Sequence, residues 1–520
     1  MVVGLLKTGG NVFDGALAAM LCLSFTQMQS MGLLGGFLMT VYLKSERKAF
    51  VIDAQMTSPN NFKLPLNNLT DVKRGPLAVA VPGFLKGLWE LHQRRGSVPW
   101  RKLVEPTLSM CQNGIVITKH FHDSINVNKV ITSDPYLNKL LVDSKTSSFR
   151  KPGTRINFKK NCEFFKILAN QTESEIFSSA VGEIFAEDFK DASSIVNLRD
   201  LLDYKVKWSE PLEYAMSTEE TLLVPNTAAV LVPAVLNILR KYQLNGSSLD
   251  DAANINDTIL AHHRITEAFK HVFATRPKLG DPDFVDAETI VKYLLSSDFA
   301  ENVRSQIDDA RTREVKKYSS EFIAPEDHGT SHLSIIAENG DAISATSSIN
   351  YYFGAAMTGK RSGLIFNNGM DDFSYPSRDI NYFGLKETPT NYPEPGKRAL
   401  SSMSPLIVVD KTGNVRLAIG AAGGSKIISA LSLALLRFSS CASSIKEIVD
   451  APRFHHQLVP NWIEYEYGLI DAIVEGLAAL GHNIKRFRNR GTIVNALSQC
   501  SQEIHAIADY RKDWSGVAGY

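Results

Sequence analysis

The segment Asp327-His328-Gly329-Thr330-Ser331-His332-Leu333-Ser334 sets a Gly-Thr step at the head of an alternating strand. A second hydroxyl-rich strand over residues 342–350 follows a turn at Asn339-Gly340. This layout is the one expected if the Gly329-Thr330 bond is cut and Thr330 becomes a new N-terminus. A threonine hydroxyl is a poor nucleophile at neutral pH, but an N-terminal threonine carries its own base, an α-amine with pKa near ~8. Residues 316–329 are polar, charged and poor in core residues, which makes them an exposed linker where a cut is tolerated. A threonine after glycine at a strand start is also an ordinary β-branched residue, so the remaining sequence has to decide between the two readings.

The chain has 520 residues, 44% hydrophobic and 21% charged, which is ordinary for a core-forming protein of two to four average domains. Lys and Arg total 56 against 55 Asp and Glu, a net charge of +1, with no run of five like charges. Nucleic-acid and lipid-headgroup partners are therefore disfavoured. Cys22, Cys111, Cys162, Cys441 and Cys500 are scattered with no CxxC pair and no nearby His at ligand spacing. Neither a metal site nor a disulfide framework is indicated, and a single bridge stays open. Sequons stand at Asn68, Asn170, Asn245 and Asn256, and carry little weight in a chain rich in Asn, Ser and Thr. Met1 to Lys7 is not a signal peptide, and the apolar run 16–25 is too short to span a bilayer.

Apolar spacing predicts a buried helix over 11–26 with Asp14 in its first turn, and strands over 37–43 and 50–54. Residues 84–115 and 175–300 read as mainly helical, with breaks at Pro82-Gly83 and Gly280-Asp281-Pro282. Strands fit 330–337, 342–348, 406–409 and 415–419. Gly420-Ala421-Ala422-Gly423-Gly424-Ser425 then leads into a helix over 426–438. Such a loop gathers backbone N–H groups and a positive dipole end at one point. It lacks Walker A or dinucleotide spacing, so an oxyanion hole is preferred, with a tight strand-to-helix turn as the plain alternative. His262 and His332 are expected to be packing or hydrogen-bonded histidines. Of Asp371 and Asp372, one should reach a pocket, since neighbours on an extended chain point opposite ways.

Taken together, Gly9-Gly10-Asn11-Val12-Phe13-Asp14, Ala80-Val81-Pro82-Gly83, His262-His263-Arg264 and Leu279 to Asp286 resemble the γ-glutamyltranspeptidase (glutathione hydrolase) family, animal type. So do Gly329-Thr330-Ser331-His332-Leu333-Ser334, Ser347-Ser348-Ile349-Asn350, Phe366-Asn367-Asn368, Ser401-Ser402-Met403 and Gly420 to Gly424, in the same order and spacing. The resemblance implies an α+β, N-terminal-nucleophile hydrolase fold: an αββα four-layer sandwich built from a self-cleaved large fragment, 1–329, and a small one, 330–520. It implies Thr330 as nucleophile, Ser348 as the hydroxyl that orients it, and the N–H groups of Gly423 and Gly424 as oxyanion hole. Asn350 and Asp372 match residues that hold the substrate's α-amino end, and Ser401 and Ser402 those near its α-carboxylate. No metal and no cofactor are implied. The partners are glutathione or another γ-glutamyl compound and an acceptor amino acid, dipeptide or water.

The chain departs from the family in its substrate residues. The family places an arginine at Gln55, where it pairs with the substrate carboxylate, and commonly an acid at Gly369, where it helps bind the ammonium. Leu34 stands where the family's glycine run usually continues, and residues 226–232 lack the Ser-Gly pattern expected of a pocket-lining loop. A secreted or cell-surface location is implied, and the chain is expected to start late, without the family's first strand, signal or anchor and without a partner for Cys22. Two other readings stay open: a catalytically weak homologue acting as a secreted binding or effector protein, and an amidase of altered acyl specificity.

Overall fold

The computed structural model describes residues 2–64, 69–250, 254–322, 329–376, 386–438, 444–487, 491–501 and 503–519. Asp327, His328, Asn68 and Cys441 lie outside the described residues.

The elements that carry the architecture are, in chain order, α1 (Val12–Thr26), β1 (Gly36–Leu43), β2 (Lys48–Ala54), α2 (Phe84–Arg95), α3 (Trp100–Asn113) and α4 (Lys159–Ala169). They continue with β3 (Lys207–Ser209), β4 (Leu212–Ala215), β5 (Glu220–Val224), α5 (Leu231–Arg240), α6 (Ile255–Phe273), β6 (Thr330–Ile336) and β7 (Ala342–Ser348). Last come β8 (Leu406–Asp410), β9 (Val415–Ala422), α7 (Lys426–Arg437), β10 (Ile493–Cys500) and β11 (Glu503–Ile507). One antiparallel sheet has the order β6-β7-β1-β2-β3, and a second has the order β11-β10-β9-β8-β5-β4. Each sheet draws strands from both sides of the Gly329-Thr330 bond.

The layering follows from strand alternation. On β1, Phe37, Met39, Val41 and Leu43 join a core with α1, α2, α3 and α4, while Tyr42 faces Ile407, Val415 and Ala418 of the second sheet. The far face of the second sheet, through Leu222, Val408, Leu417, Ile419 and Val494, packs on α5, α6 and α7. The result is helices, sheet, sheet, helices. The layer between the sheets is partly polar, so its side chains bond backbone across the gap: Thr40 Oγ1 donates to Pro405 O at 2.7 Å and Ser344 Oγ to Ile419 O at 3.0 Å. Such bonds fix the register of the sheets where apolar contact alone would let them slide.

Helix α1 forms where its sequence signals placed it. Asn11 caps it, accepting from the N–H groups of Phe13 and Asp14, and the Asp14 carboxylate accepts from Asn11 N in return. Asp14 tolerates complete burial because it also accepts from Ser97 and Val98.

Three expectations need correction. The stretch 175–300 contains β3, β4 and β5, strands too short for their alternation to stand out from the helical pattern around them. Residues 226–232, compared above with a pocket-lining loop, are largely core: Ala228, Ala229, Val230, Leu231 and Val232 enter the core that leads into α5. Cysteine spacing also understated the bonding, for Cys111 and Cys162 form a disulfide across α3 and α4 and Cys500 is disulfide-bonded as well. The pairing is a product of helix packing, which brings together residues 51 apart in sequence. Cys22 is a buried thiol with its Sγ 3.0 Å from Thr107 Oγ1, and burial pushes it up to about 11. Among the described residues no helix is long and apolar enough to cross a membrane.

Candidate active site

Thr330 begins β6 directly opposite Ser348, the last residue of β7, and Ser348 in turn lies opposite Gly36, the first residue of β1. Three strand ends thus meet at one rim of the first sheet. A cleft opens there, lined by Thr330, Ser348, Gly36, Gln55, Asn350, Gly369, Asp372 and Ser401. Apolar lining comes from Met56, Ala399, Met403 and Ile427. Seven residues proposed from sequence therefore converge on one space.

The Gly329 carbonyl is bonded by the hydroxyl that faces Thr330 across the strand pair. Ser348 Oγ donates to the carbonyl oxygen of Gly329 at 2.8 Å and accepts from Asn350 N, also at 2.8 Å. A hydroxyl bonded to a peptide carbonyl draws charge toward that oxygen, which favours nucleophilic attack on its carbon. Gly329 has no substitute at this spot: a Cβ would press into the Asn350 carbonyl oxygen and lie 2.6 Å from Tyr351 C. Ser348→Ala is expected to slow cleavage by about tenfold to a thousandfold without abolishing it, since one polarising donor is lost and the nucleophile stays. A gel time course checks this, and cleavage at the parental rate would contradict it.

One wall of the cleft is built on asparagines. Asn367 Nδ2 donates to Leu34 O at 2.7 Å and Ala80 O at 2.9 Å, while its Oδ1 accepts from Ala80 N and Gly369 N. Asn350 Nδ2 donates to Asn368 O at 3.0 Å, and Asn350 sits at φ 71°, a left-handed conformation that Asn tolerates. These bonds present the short 3₁₀ turn Gly369–Asp372 to the cleft. Of its acidic pair, Asp372 lines the cleft and Asp371 does not.

On the opposite wall the backbone of Gln55 is pinned at both ends. Its N–H donates to Asp53 Oδ1 at 3.0 Å, and its carbonyl accepts from Tyr204 OH at 2.7 Å. Arg398 Nε bonds the same Asp53 oxygen at 3.1 Å, and an Arg398 Nη2 donates to Lys205 O at 2.7 Å, so this guanidinium is engaged away from the cleft. Beside Gly369 the space is filled: a Cβ there would lie 3.0 Å from both Ala80 Cβ and Met56 Sδ. Met56 has no sequence motif that marks it as a site residue. Its place next to Gln55 is the available signal.

Ser402, Gly423 and Gly424 are not among the residues lining the cleft. Ser402 is wholly buried, with Oγ 3.4 Å from Arg276 Nη2. Gly423 and Gly424 form the turn from β9 into α7 at φ 144° and 61°. Ile427, three residues beyond, reaches the cleft.

His332 lies between the sheets, with Nδ1 2.9 Å from Thr346 Oγ1 and Nε2 2.8 Å from Ser334 Oγ. Gly420 is needed there, because a Cβ would fall into the His332 ring. Burial pushes His332 down to about 3, and likewise His262 and His271 down to about 4. Each of these groups stays neutral in the fold while the unfolded imidazole titrates near ~6.5. Their contribution to stability is thus full above pH ~6.5 and declines as pH falls toward ~3, because the unfolded chain then binds more protons. A melting temperature that drops steadily from pH ~7 to pH ~4 is expected, and a flat profile would contradict it.

Among the described residues His263, Glu267 and His482 form a buried group of metal-ligand types. An ammonium contacts two of its members: Lys270 Nζ lies 3.1 Å from Glu267 Oε1 and 3.4 Å from His482 Nδ1, and also bonds Thr312. Tyr318 OH completes the Glu267 shell. The donor set suits a buried ion pair rather than a divalent cation.

With this geometry in place, the sequence model of the family described as gamma-glutamyltranspeptidase matches residues 2–519. The chain belongs to the γ-glutamyltranspeptidase family. Within curated relatives, the chain is 35% identical to glutathione hydrolase 2 of Arabidopsis thaliana over 468 residues, covering 89% of this chain and 79% of that one. It is 32% identical to scoloptoxin SSD14 of Scolopendra dehaani over 518 residues, covering 98% and 89%. Among solved structures, cephalosporin acylase from Bacillus halodurans matches with a TM-score of 0.80 at 17% identity, covering 99% of this chain and 94% of that one. The γ-glutamyltranspeptidase of Helicobacter pylori matches with a TM-score of 0.51 at 19% identity over 59% of this chain and 87% of that one. Both structural likenesses speak to the fold, which is the αββα sandwich of N-terminal-nucleophile hydrolases.

Proposed function

We propose that this chain is a self-processing N-terminal threonine hydrolase that transfers the γ-glutamyl group of glutathione or a related amide to water or to an acceptor amino acid or dipeptide. The observation that carries the reading is the Ser348 hydroxyl on the Gly329 carbonyl, with Thr330 beside it at the head of the cleft. In processing, Thr330 Oγ1 attacks the Gly329 carbonyl carbon and the C–N bond breaks, moving the acyl group from nitrogen to oxygen. Water then cleaves that ester, leaving a Gly329 carboxylate and a free Thr330 amine.

In the mature protein the amine takes the proton of the Thr330 hydroxyl as the oxygen adds to the γ-carbonyl, and the departing amine receives a proton as its C–N bond breaks. The N–H groups of Gly423 and Gly424 are assigned to the developing oxyanion. The acyl-enzyme passes to water or an acceptor amine. Residues 1–329 form the large fragment and 330–520 the small one. An extracellular setting is part of the proposal, supported by the Cys111–Cys162 disulfide and the exposed sequon residues Asn170, Asn245 and Asn256.

Altered acyl specificity is the second reading, favoured by Met56 packed beside Gly369 and by the neutral Gln55. Incubation of purified protein with a γ-glutamyl anilide separates the two. Release of the aniline supports γ-glutamyl turnover, and cleavage of neutral acyl anilides alone supports the second reading.

A further inference from the structure

Gly423 and Gly424 both occupy left-handed backbone, at φ 144° and 61°, so the direction of their N–H groups depends on what holds the residue that follows. That residue is held by a side-chain relay. Ser425 Oγ donates to Gln457 Oε1 at 2.6 Å, while Gln457 Nε2 donates to Val459 O at 3.0 Å. The second bond fixes the amide orientation, leaving Oε1 as the acceptor. His455 Nε2 stands 2.8 Å from the same Oε1 and must therefore carry a proton, which leaves Nδ1 to accept from Ser429 Oγ at 2.7 Å. Ser425 and Ser429 are one turn apart on the start of α7, and both are buried, as is His455. The relay thus grips the first turn of α7 at two points, just where Ile427 reaches the cleft.

We infer that Gln457 is a positioning residue for this reaction: through Ser425 and His455 it fixes the α7 start and hence the aim of the Gly423 and Gly424 N–H groups. The inference rests on the assignment of those N–H groups to the oxyanion. Donors aimed in advance act only on the transition state, so loosening them lowers kcat and leaves KM in place.

The test uses Gln457→Met, Ser425→Ala, their double variant, Ser425→Thr as the conservative control, and a γ-glutamyl boronate that forms a tetrahedral adduct with Thr330 in the parental protein. Gln457→Met and Ser425→Ala are expected to lower kcat on the γ-glutamyl anilide about tenfold to a hundredfold with KM within about twofold. The double variant should be no slower than the worse single one, as for residues acting as a unit, and Ser425→Thr should recover most of the loss. Amide hydrogen exchange over residues 420–427 should quicken about tenfold in Gln457→Met, a readout that needs no turnover. Unchanged exchange, or quickened exchange with unchanged kcat, overturns the inference, as does a parallel collapse of kcat, KM and melting temperature. If the boronate adduct on Thr330 leaves amide exchange at Gly423 and Gly424 unslowed, the oxyanion assignment itself fails, a result distinct from failure of the clamp.

Discussion

Thr330→Ala is expected to give a single uncut chain with no turnover, the largest effect of any substitution in this protein. The reason is chemical: the alanine variant keeps the Ser348 donor on the Gly329 carbonyl and the whole cleft but has no oxygen to add to the carbonyl carbon. The loss should exceed that of Ser348→Ala, which removes only polarisation. A denaturing gel followed over days measures it. A variant that still splits at residue 329 would show that an external protease makes the cut.

The second large effect is a gain. Gln55→Arg sets a guanidinium on a backbone already pinned through Asp53 and Tyr204, and should restore a two-pronged partner for the substrate carboxylate. Rate on a γ-glutamyl anilide should rise about tenfold to a hundredfold, on the order of 1–3 kcal/mol of transition-state binding. Gly369→Glu should do less alone, because Met56 Sδ and Ala80 Cβ both stand 3.0 Å from the incoming Cβ and only Met56 can swing away. Together the two should exceed the sum of their free energies, as they would hold opposite ends of one substrate. Rates for the two singles and the double measure this. A double variant that processes normally yet gains no activity would mean that the cleft has been reshaped beyond these residues, and would favour altered acyl specificity.

Local signals with local causes are the part of this molecule that its amino-acid sequence carries well. The Asn11 and Asp14 capping pair, the strand pair that sets Thr330 against Ser348, and the glycine loop entering α7 are of this kind. The short strands β3, β4 and β5 are hidden in the sequence because three to five residues cannot show a period that a helix does not also fit. The disulfide and the contacts of Lys270 with Thr312 and His482 are hidden for another reason. They join residues from separate elements, and no pattern along the chain records that α3 and α4 touch or that His482 returns to α6. In the cleft, polar residues stand out by type, whereas Met56, Met403 and Ile427 read as ordinary core residues. The bond from Ser348 to the Gly329 carbonyl is visible in the sequence only as a role, an orienting hydroxyl, and the folded chain gives it a different partner atom.

The most direct test of self-processing at Thr330 is mass spectrometry of freshly purified protein followed over time, with N-terminal sequencing of the products. Self-processing predicts loss of the precursor and appearance of two chains, the smaller beginning at Thr330 with a free amine, their summed mass exceeding the precursor by one water. A precursor that stays whole, or a smaller chain that begins at any other residue, would contradict it.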